Sequence, residues 1–205
     1  IHNSVTIFAN AEDTYKYQVK FEMRISVLEE KLEKAMELAQ SMLLHTDFSD
    51  DRRLYDLLAQ MKSALQGDLS SSGHLVSATR ALGYYLPRSR YSDMTTGIDF
   101  YRLVDRLESD FENEKEDLKQ KLTQLTHMLF RPEKLMVNVT CKEAGCKAVQ
   151  EQISALKPQL FTDPIEDYPC EISCIPQNEG FMDASQVQYV SQVGNYKEKG
   201  YAYTG

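Results

Sequence analysis

The sequence lacks any long apolar run, any excess of basic residues and any pair of cysteines at zinc-site spacing. No run approaches the ~20 apolar residues that a membrane-spanning helix needs, so we expect no membrane partner. The net charge of −8, from 31 acidic and 23 basic residues, argues against nucleic acid as a partner. Non-specific nucleic-acid binding requires Lys and Arg to displace the counterions of the phosphates.

The four cysteines form two loose pairs, Cys141 with Cys146 and Cys170 with Cys174. Neither pair has the C-x2-C spacing typical of structural zinc sites, so we interpret all four as free thiols. A disulfide would be expected only in a secreted chain. Residues 1–10 lack the basic start, apolar middle and small-residue cleavage site of a signal peptide, and the chain begins without Met, so we expect its natural N-terminus to lie upstream.

Motifs for catalysis and nucleotide binding are also missing. Neither HExxH nor HxxEH occurs at any of the histidines, which are His2, His45, His74 and His127. There is no GxGxxG or GxxxxGK[ST] loop. A Cys–His nucleophile pair would have to meet in space, and no local nucleophile signature surrounds any cysteine. The residues themselves therefore predict no catalytic, cofactor-binding or metal-binding residue.

Residues 14–26 alternate between apolar and polar side chains, which predicts a strand with one buried face. The apolar positions are Tyr15, Tyr17, Val19, Phe21, Met23 and Ile25. Residues 4–9 are rich in β-branched and aromatic side chains, and residues 10–13 supply turn chemistry, so we expect an antiparallel hairpin. We also expect the helices that follow to cover the apolar face of this strand.

Apolar residues spaced by three and four predict amphipathic helices near residues 28–43, 54–65, 98–107 and 111–129. Gly67 is a possible end of the second helix. Residues 69–73 allow two interpretations: a loop, or the middle of one long helix that runs to about Tyr85. We expect Pro87 to end that helix and residues 91–93 to form a turn that caps the next one.

The last third of the chain is predicted to contain further strands. Residues 135–139 alternate as a short strand, and the apolar spacing from Cys146 to Leu156 predicts a closing helix. Four prolines without periodicity predict a linker within residues 157–180. Residues 186–193 predict one more strand, which we expect to pair with a sheet edge of its own chain or of a neighbouring copy. The predicted class is α+β, an antiparallel sheet covered on one face by several helices.

A basic and aromatic cluster is the best candidate for a binding surface. It consists of Arg80, Arg88 and Arg90 beside Tyr84, Tyr85 and Tyr91. Guanidinium groups pair well with carboxylates, so the cluster could hold a carboxylate of a peptide or of a partner. The alternative is packing between helices with solvated guanidinium heads. The sequence leaves open which of the three arginines, if any, contacts a substrate.

Five groups of residues, in this order, carry a family resemblance. They are Ser72-Gly73-His74 with Arg80, then Tyr91-Ser92-Asp93 with residues 97–101, residues 130–135 (FRPEKL), residues 187–190 with 194–196, and residues 200–205. Together they resemble the C-terminal half of presequence-protease-like zinc peptidases of the insulinase (pitrilysin) superfamily. The resemblance spans nearly the whole chain.

The resemblance implies four related α+β domains, two in each half, that enclose a chamber where unfolded peptides are cut. Residues 1–160 would be most of the third domain, residues 161–182 a linker and residues 183–205 the first strand of the fourth. The zinc-binding HxxEH belongs to the first domain of the family, so zinc is implied for the parent enzyme and no cofactor for this chain.

The implied partners are the N-terminal catalytic half of the same polypeptide and, for the parent, unfolded peptide substrates. The resemblance implies metal-assisted amide hydrolysis in the parent and no catalytic residue here. The sequence does not indicate a compartment: a bacterial parent would be cytoplasmic, and a eukaryotic parent would lie in an organellar matrix. An alternative from another class is a stand-alone helical module for protein interaction.

Overall fold

The structure is a computed structural model that describes residues 1–10, 13, 15–166, 172–182, 186–196 and 199–202. Over these residues it has two strands and seven α-helices: β1 (His2–Ala9), β2 (Tyr17–Arg24), α1 (Leu32–Leu44), α2 (Asp51–Ser71), α3 (Gly73–Leu82), α4 (Pro87–Thr96), α5 (Ile98–Ser109), α6 (Phe111–Leu129) and α7 (Glu143–Leu156). A 3-10 turn, Glu29–Lys31, precedes α1, and another, Lys157–Gln159, follows α7. The predicted helix-rich α+β class is confirmed.

Strands β1 and β2 form a two-stranded antiparallel sheet. The Thr6 hydroxyl donates to the Glu22 carboxylate at 2.7 Å, and the N–H of Asn10 donates to the carbonyl of Lys16 at 2.9 Å. The side chain of Asn10 also accepts the N–H of Asp13, as expected for turn chemistry. The predicted hairpin is confirmed.

The apolar face predicted for β2 is only partly buried. Phe21 packs edge-on against Phe130, with ring centroids 5.4 Å apart, but Tyr15 is exposed and Tyr17 and Val19 are half-buried. A two-stranded sheet offers too little area to build a core alone. The expectation that the later helices all cover β2 is therefore wrong, since most of the fully buried apolar side chains lie on helices.

Contacts along the chain define two compact units. Unit 1 comprises Ile1–Thr6, Val19–Asp51 and Glu114–Tyr168. Within it α1 packs against α7, and the buried apolar side chains are Ala35, Ala39, Leu156 and Leu160. The two alanines lie one turn apart on α1, which gives that helix a narrow, small-residue face for close packing.

Unit 2 comprises Ile7–Gln18, Arg52–Asn113 and Pro169–Gly205. Within it α4 packs against both α3 and α5. Its buried apolar side chains are Leu58, Ala81, Ile98, Val104, Leu107 and Phe111. The spacing of the three buried residues on α5 matches the predicted stripe. The division into residues 1–160, 161–182 and 183–205 stays a prediction.

The junction between α2 and α3 differs from both predicted alternatives. Helix α2 continues past Gly67 to Ser71, and α3 begins at Gly73. Residues 69–73 therefore form neither a loop nor the middle of one unbroken helix, because the break is confined to Ser72, where ψ is 31°.

The predicted role of Pro87 is wrong, because Pro87 is the first residue of α4. Proline is favourable there, since the N–H that it lacks would have no partner inside the helix. Residues 91–93 lie within α4 and form no turn. Asp93 still contributes to the next helix, because its Oδ1 accepts the N–H of Ile98 at 3.4 Å.

Two predicted strands do not form in this chain. Residues 135–139 are irregular, and Met136 is 73% exposed. Residues 186–193 are also irregular. Alternating side chains favour a strand only where a neighbouring edge can pair with it. Pairing between copies stays a prediction.

No helix among the described residues is long and apolar enough to cross a membrane.

Candidate functional site: a buried arginine–carboxylate cluster

Arg80, near the end of α3, is only 8% exposed, and a buried charge requires compensating partners. Its Nη1 lies 2.6 Å from Oδ2 of Asp93 and 3.0 Å from Oδ1 of Asp99. Its Nε donates to Glu179 at 2.7 Å, and its Nη2 donates to the same carboxylate at 3.0 Å. One guanidinium therefore bonds carboxylates from α4, from α5 and from residues 172–182.

Arg90 on α4 supplies the second guanidinium of the site. Its Nη1 lies 2.9 Å from Oδ2 of Asp93 and 2.6 Å from Oδ2 of Asp99. Asp93, which is 1% exposed, thus accepts from both arginines and also from the N–H of Ile98. We call Arg80, Arg90, Asp93, Asp99 and Glu179 the Arg80 cluster.

Glu179 connects residues 172–182 to α3 through hydrogen bonds from Arg80. The hydroxyl of Tyr84 also donates to its carboxylate, beside the two bonds from Arg80. The Arg80 guanidinium lowers the pKa of Glu179 to about 2, and Glu179 in turn raises the pKa of Arg80. Phe181 adds a cation–π contact, with its ring centroid 5.7 Å from Arg80 and 5.6 Å from Arg102.

The charges of this site compensate one another. Arg102 approaches Asp99 to 3.8 Å, so three guanidinium groups face three carboxylates. The carboxylate-binding capacity predicted for Arg80 and Arg90 is therefore used by the chain's own residues. Arg88 is exposed and lies outside the Arg80 cluster.

The predicted tyrosines take different places in unit 2. Tyr91 packs near Tyr17, with ring centroids 6.2 Å apart. Tyr84 and Tyr85 line an open hollow of about 340 Å³ together with Tyr15, Pro87, Ile172, Cys174 and Pro176. This lining has no Asp, Glu, Lys, Arg or His side chain, so it offers apolar contact, phenol hydroxyls and one thiol.

A second buried arginine, Arg131, lies two residues after the end of α6, in unit 1. Arg131 donates from Nη1 to the carbonyl of Asp163 at 2.9 Å and contacts the carboxylate of Glu133. Nδ1 of His127 lies 3.2 Å from both carboxylate oxygens of Asp163, which lowers the pKa of Asp163. The His127 ring stacks on Phe161 with centroids 3.9 Å apart. These contacts join Arg131 and the last turn of α6 to Phe161 and Asp163, which follow α7.

Residues 186–196 contact α3 through side chains. The ring of Tyr189 lies over Gly73, where a Cβ atom would come within 2.7 Å of Cδ2, and 5.8 Å from the ring of His74. The hydroxyls of Ser77 and Ser191 are 2.8 Å apart. The residues quoted for the family resemblance near 72–74 and 187–190 therefore meet in space.

The sequence did not indicate Asp99 or Glu179 as partners of Arg80. Glu179 lies 99 positions further along, in a proline-rich segment without periodicity. Among the described residues, no group of three or more His, Cys, Asp or Glu side chains is arranged to hold a metal ion. Cys170 lies outside the described residues.

Comparison with known proteins identifies this helix-rich α+β chain as a peptidase-associated region. The family model that matches describes the region associated with peptidases of family M16, subfamily C, and it covers residues 1–107. Because this is more than half of the chain, the chain belongs to that peptidase-associated family. The predicted resemblance to presequence-protease-like members of the insulinase superfamily is confirmed.

The curated proteins that are similar to the chain include the following three. Protein HypA of Clostridium perfringens is 26% identical over 97% of the chain, which covers 20% of HypA. Presequence protease 1, chloroplastic/mitochondrial, of Arabidopsis thaliana is 22% identical over 82% of the chain and 16% of that protein. The mitochondrial presequence protease of Danio rerio is 25% identical over 64% of the chain and 13% of that protein. The chain thus matches a fifth or less of each relative.

Proposed function

We propose that this chain is a non-catalytic part of the C-terminal half of a zinc metallopeptidase and forms part of the wall of a chamber in which unfolded peptides are cut. The observation that carries the proposal is the match of residues 1–107 to the peptidase-associated family. The similarity to two presequence proteases supports it. The chain spans only 13–20% of the length of these relatives. The activity, substrates and partners of the whole protein are therefore proposed as well.

The Arg80 cluster supports a structural role. A chamber wall needs helices in fixed positions, and the cluster holds α3, α4, α5 and residues 172–182 with charges that are paired internally. Breaking such a buried network is costly, because each charge that loses its partner stays away from water. The Arg80 cluster therefore stabilises the positions of these helices and of residues 172–182, and it presents no reactive group.

The catalytic chemistry is assigned to the N-terminal half of the same polypeptide. Among the described residues no group of three or more His, Cys, Asp or Glu side chains is arranged to hold a metal ion, and the proposal assigns no step of peptide hydrolysis to them. In the parent enzyme, zinc would supply activation of the attacking water. The role of this chain would be to help enclose unfolded peptides, which are the proposed substrates of the parent enzyme.

Three proteins test the proposal: the complete polypeptide from which the chain comes, the same polypeptide without residues 1–205, and residues 1–205 alone. We expect the complete polypeptide to cleave an unstructured fluorogenic peptide and to bind stoichiometric zinc. Deletion should abolish cleavage and leave the zinc in place, since the zinc site is assigned to the other half. Residues 1–205 alone should do neither.

Two kinds of outcome would overturn the proposal. Cleavage by residues 1–205 alone, or one tightly bound zinc per isolated chain in metal analysis, would place chemistry in this region. Full cleavage by the polypeptide that lacks residues 1–205 would show that they form no necessary wall. A coding sequence limited to these 205 residues would instead favour the stand-alone interaction module.

A further inference from the structure

Two cysteine thiols lie together at the start of α7, in unit 1. The Sγ atoms of Cys141 and Cys146 are 3.2 Å apart, and both residues are exposed. A disulfide has an S–S length of about 2.05 Å, so a shift of about one ångström would join them. Because the two cysteines are only five positions apart, that shift is a local adjustment of one turn.

Local backbone structure explains why these thiols meet. Lys142 is extended, with ψ of 154°, and the N–H of Gly145 donates to its carbonyl at 2.9 Å as the helix begins. This turn brings the first helical turn back towards Cys141. A Cβ atom at Gly145 would lie at the ordinary contact distance of 3.5 Å from both Sγ of Cys141 and Oε1 of Glu29, so the first turn of α7 packs directly beside Cys141.

We propose that Cys141 and Cys146 are a redox-active dithiol that reacts with a small disulfide, such as oxidised glutathione, to form an intramolecular disulfide. The Cys146 thiolate first attacks one sulfur of the small disulfide and releases one thiolate. Sγ of Cys141, after losing its proton to water, then attacks Sγ of Cys146 in the mixed disulfide and releases the second thiolate. Two protein thiols are oxidised, and the small disulfide is reduced to two thiols.

The order of attack follows from the surroundings of Cys141. The pKa of Cys141 is raised, first by its hydrogen bond to Cys146, then by partial desolvation and by the charge of Glu29. A raised pKa leaves less Cys141 thiolate at neutral pH, so Cys141 is assigned the second, resolving attack.

Cys174 provides an internal comparison. It lies in unit 2 and is partly buried, and burial raises the pKa of its thiol. A raised pKa leaves less thiolate at neutral pH, so Cys174 should react slowly with the same reagent. Slow reaction of Cys174 is expected either way, so the disulfide that links Cys141 to Cys146 is the observation that distinguishes a paired dithiol from separate oxidation of exposed thiols.

The test uses the protein incubated with oxidised glutathione under native conditions, then quenched with an alkylating maleimide and digested with trypsin. Lys142 separates the two cysteines, so cleavage leaves residues 135–142 and 143–147 as different peptides. We expect these two peptides to appear as one disulfide-linked species, with loss of two alkylatable thiols and no retained glutathione. Reduction should separate them again.

Single substitutions give the matched controls. Cys141→Ser should leave one glutathione on Cys146, because the resolving thiol is absent, while Cys174→Ser should form the linked peptides as the unmodified protein does. Absence of the linked species, its formation only in denaturant, or Cys141→Ser without a glutathione adduct at residue 146 would overturn the proposal. Because Ser is nearly isosteric with Cys, circular dichroism should show the same helix content in both variants as in the unmodified protein.

Discussion

Nη1 of Arg80 lies 2.6 Å from Oδ2 of Asp93, and both side chains are buried. This contact joins α3 to α4 through two charges that are almost completely buried. Each of the two therefore depends on the other, because an unpaired buried charge costs several kcal/mol.

Replacing Asp93 by Asn should destabilise unit 2 strongly. The substitution keeps the shape but removes a charge that accepts from Arg80 and Arg90, so we expect a loss of about 2–4 kcal/mol in the free energy of unfolding. Urea unfolding measures the loss as a lower midpoint. Asp117→Asn is the control, because Asp117 is exposed and pairs only with Lys121 among the described residues; it should cost under about 0.5 kcal/mol. Equal midpoints for the two variants would contradict this prediction.

Glu179 should make stability depend on pH in acid solution. Its pKa is lowered from 4.5 to about 2 in the folded chain, chiefly by Arg80. A carboxylate with a lowered pKa contributes its full stability above pH 4.5 and loses it as the pH falls towards 2. Glu179→Gln lacks this contribution, so its free energy of unfolding should lie below that of the unmodified protein at pH 6, and the gap should narrow as the pH falls.

The control for this titration is Glu116→Gln, because Glu116 is 76% exposed. Its unfolding free energy, measured with urea at each pH, should run parallel to that of the unmodified protein. A gap between Glu179→Gln and the unmodified protein that stays constant down to pH 3 would show that Glu179 does not carry the effect.

Two glycine substitutions should change stability in opposite directions. A Cβ atom at Gly97 would clash with the Asp93 carboxylate and would lie 2.9 Å from the carbonyl oxygen of Asp93, so Gly97→Ala should cost about 1–3 kcal/mol. Gly67 lies inside α2 with open space around it, so Gly67→Ala should add about 0.5–1 kcal/mol. Thermal melts compare them directly, and shifts of the same sign would refute the explanation.

Aspartate should be tolerated at one position of β2 and not at another. Phe21 is half-buried against Phe130, so Phe21→Asp removes an aromatic contact and desolvates a charge, at a cost of about 2–3 kcal/mol. Gln18 is exposed on the same strand, so Gln18→Asp should cost under about 0.5 kcal/mol. Chemical unfolding of both variants measures the difference. Similar losses would mean that β2 has no inner face.

Most helices, the hairpin and the family could be predicted from the order of the residues. Helical stripes depend on residues three or four positions apart, so the spacing in α1, α5 and α7 was sufficient to predict them. The hairpin depends on two neighbouring segments and the turn between them. Pro87 was misread because proline is compatible with the residue after a helix and with the first residue of the next one.

Only the tertiary structure showed which charged side chains pair with each other and which segments pair as strands. Arg80 donates to Glu179, which is 99 positions away in the sequence, and no local pattern in residues 172–182 predicts that contact. Residues 135–139 and 186–193 alternate as strands do, yet neither becomes one in this chain, because a strand also needs an edge with free N–H and C=O groups beside it. A hydrogen bond or an ion pair requires two groups within about 3 Å of each other. Which distant segments come that close depends on how the helices pack, and the number of residues between two groups does not determine it.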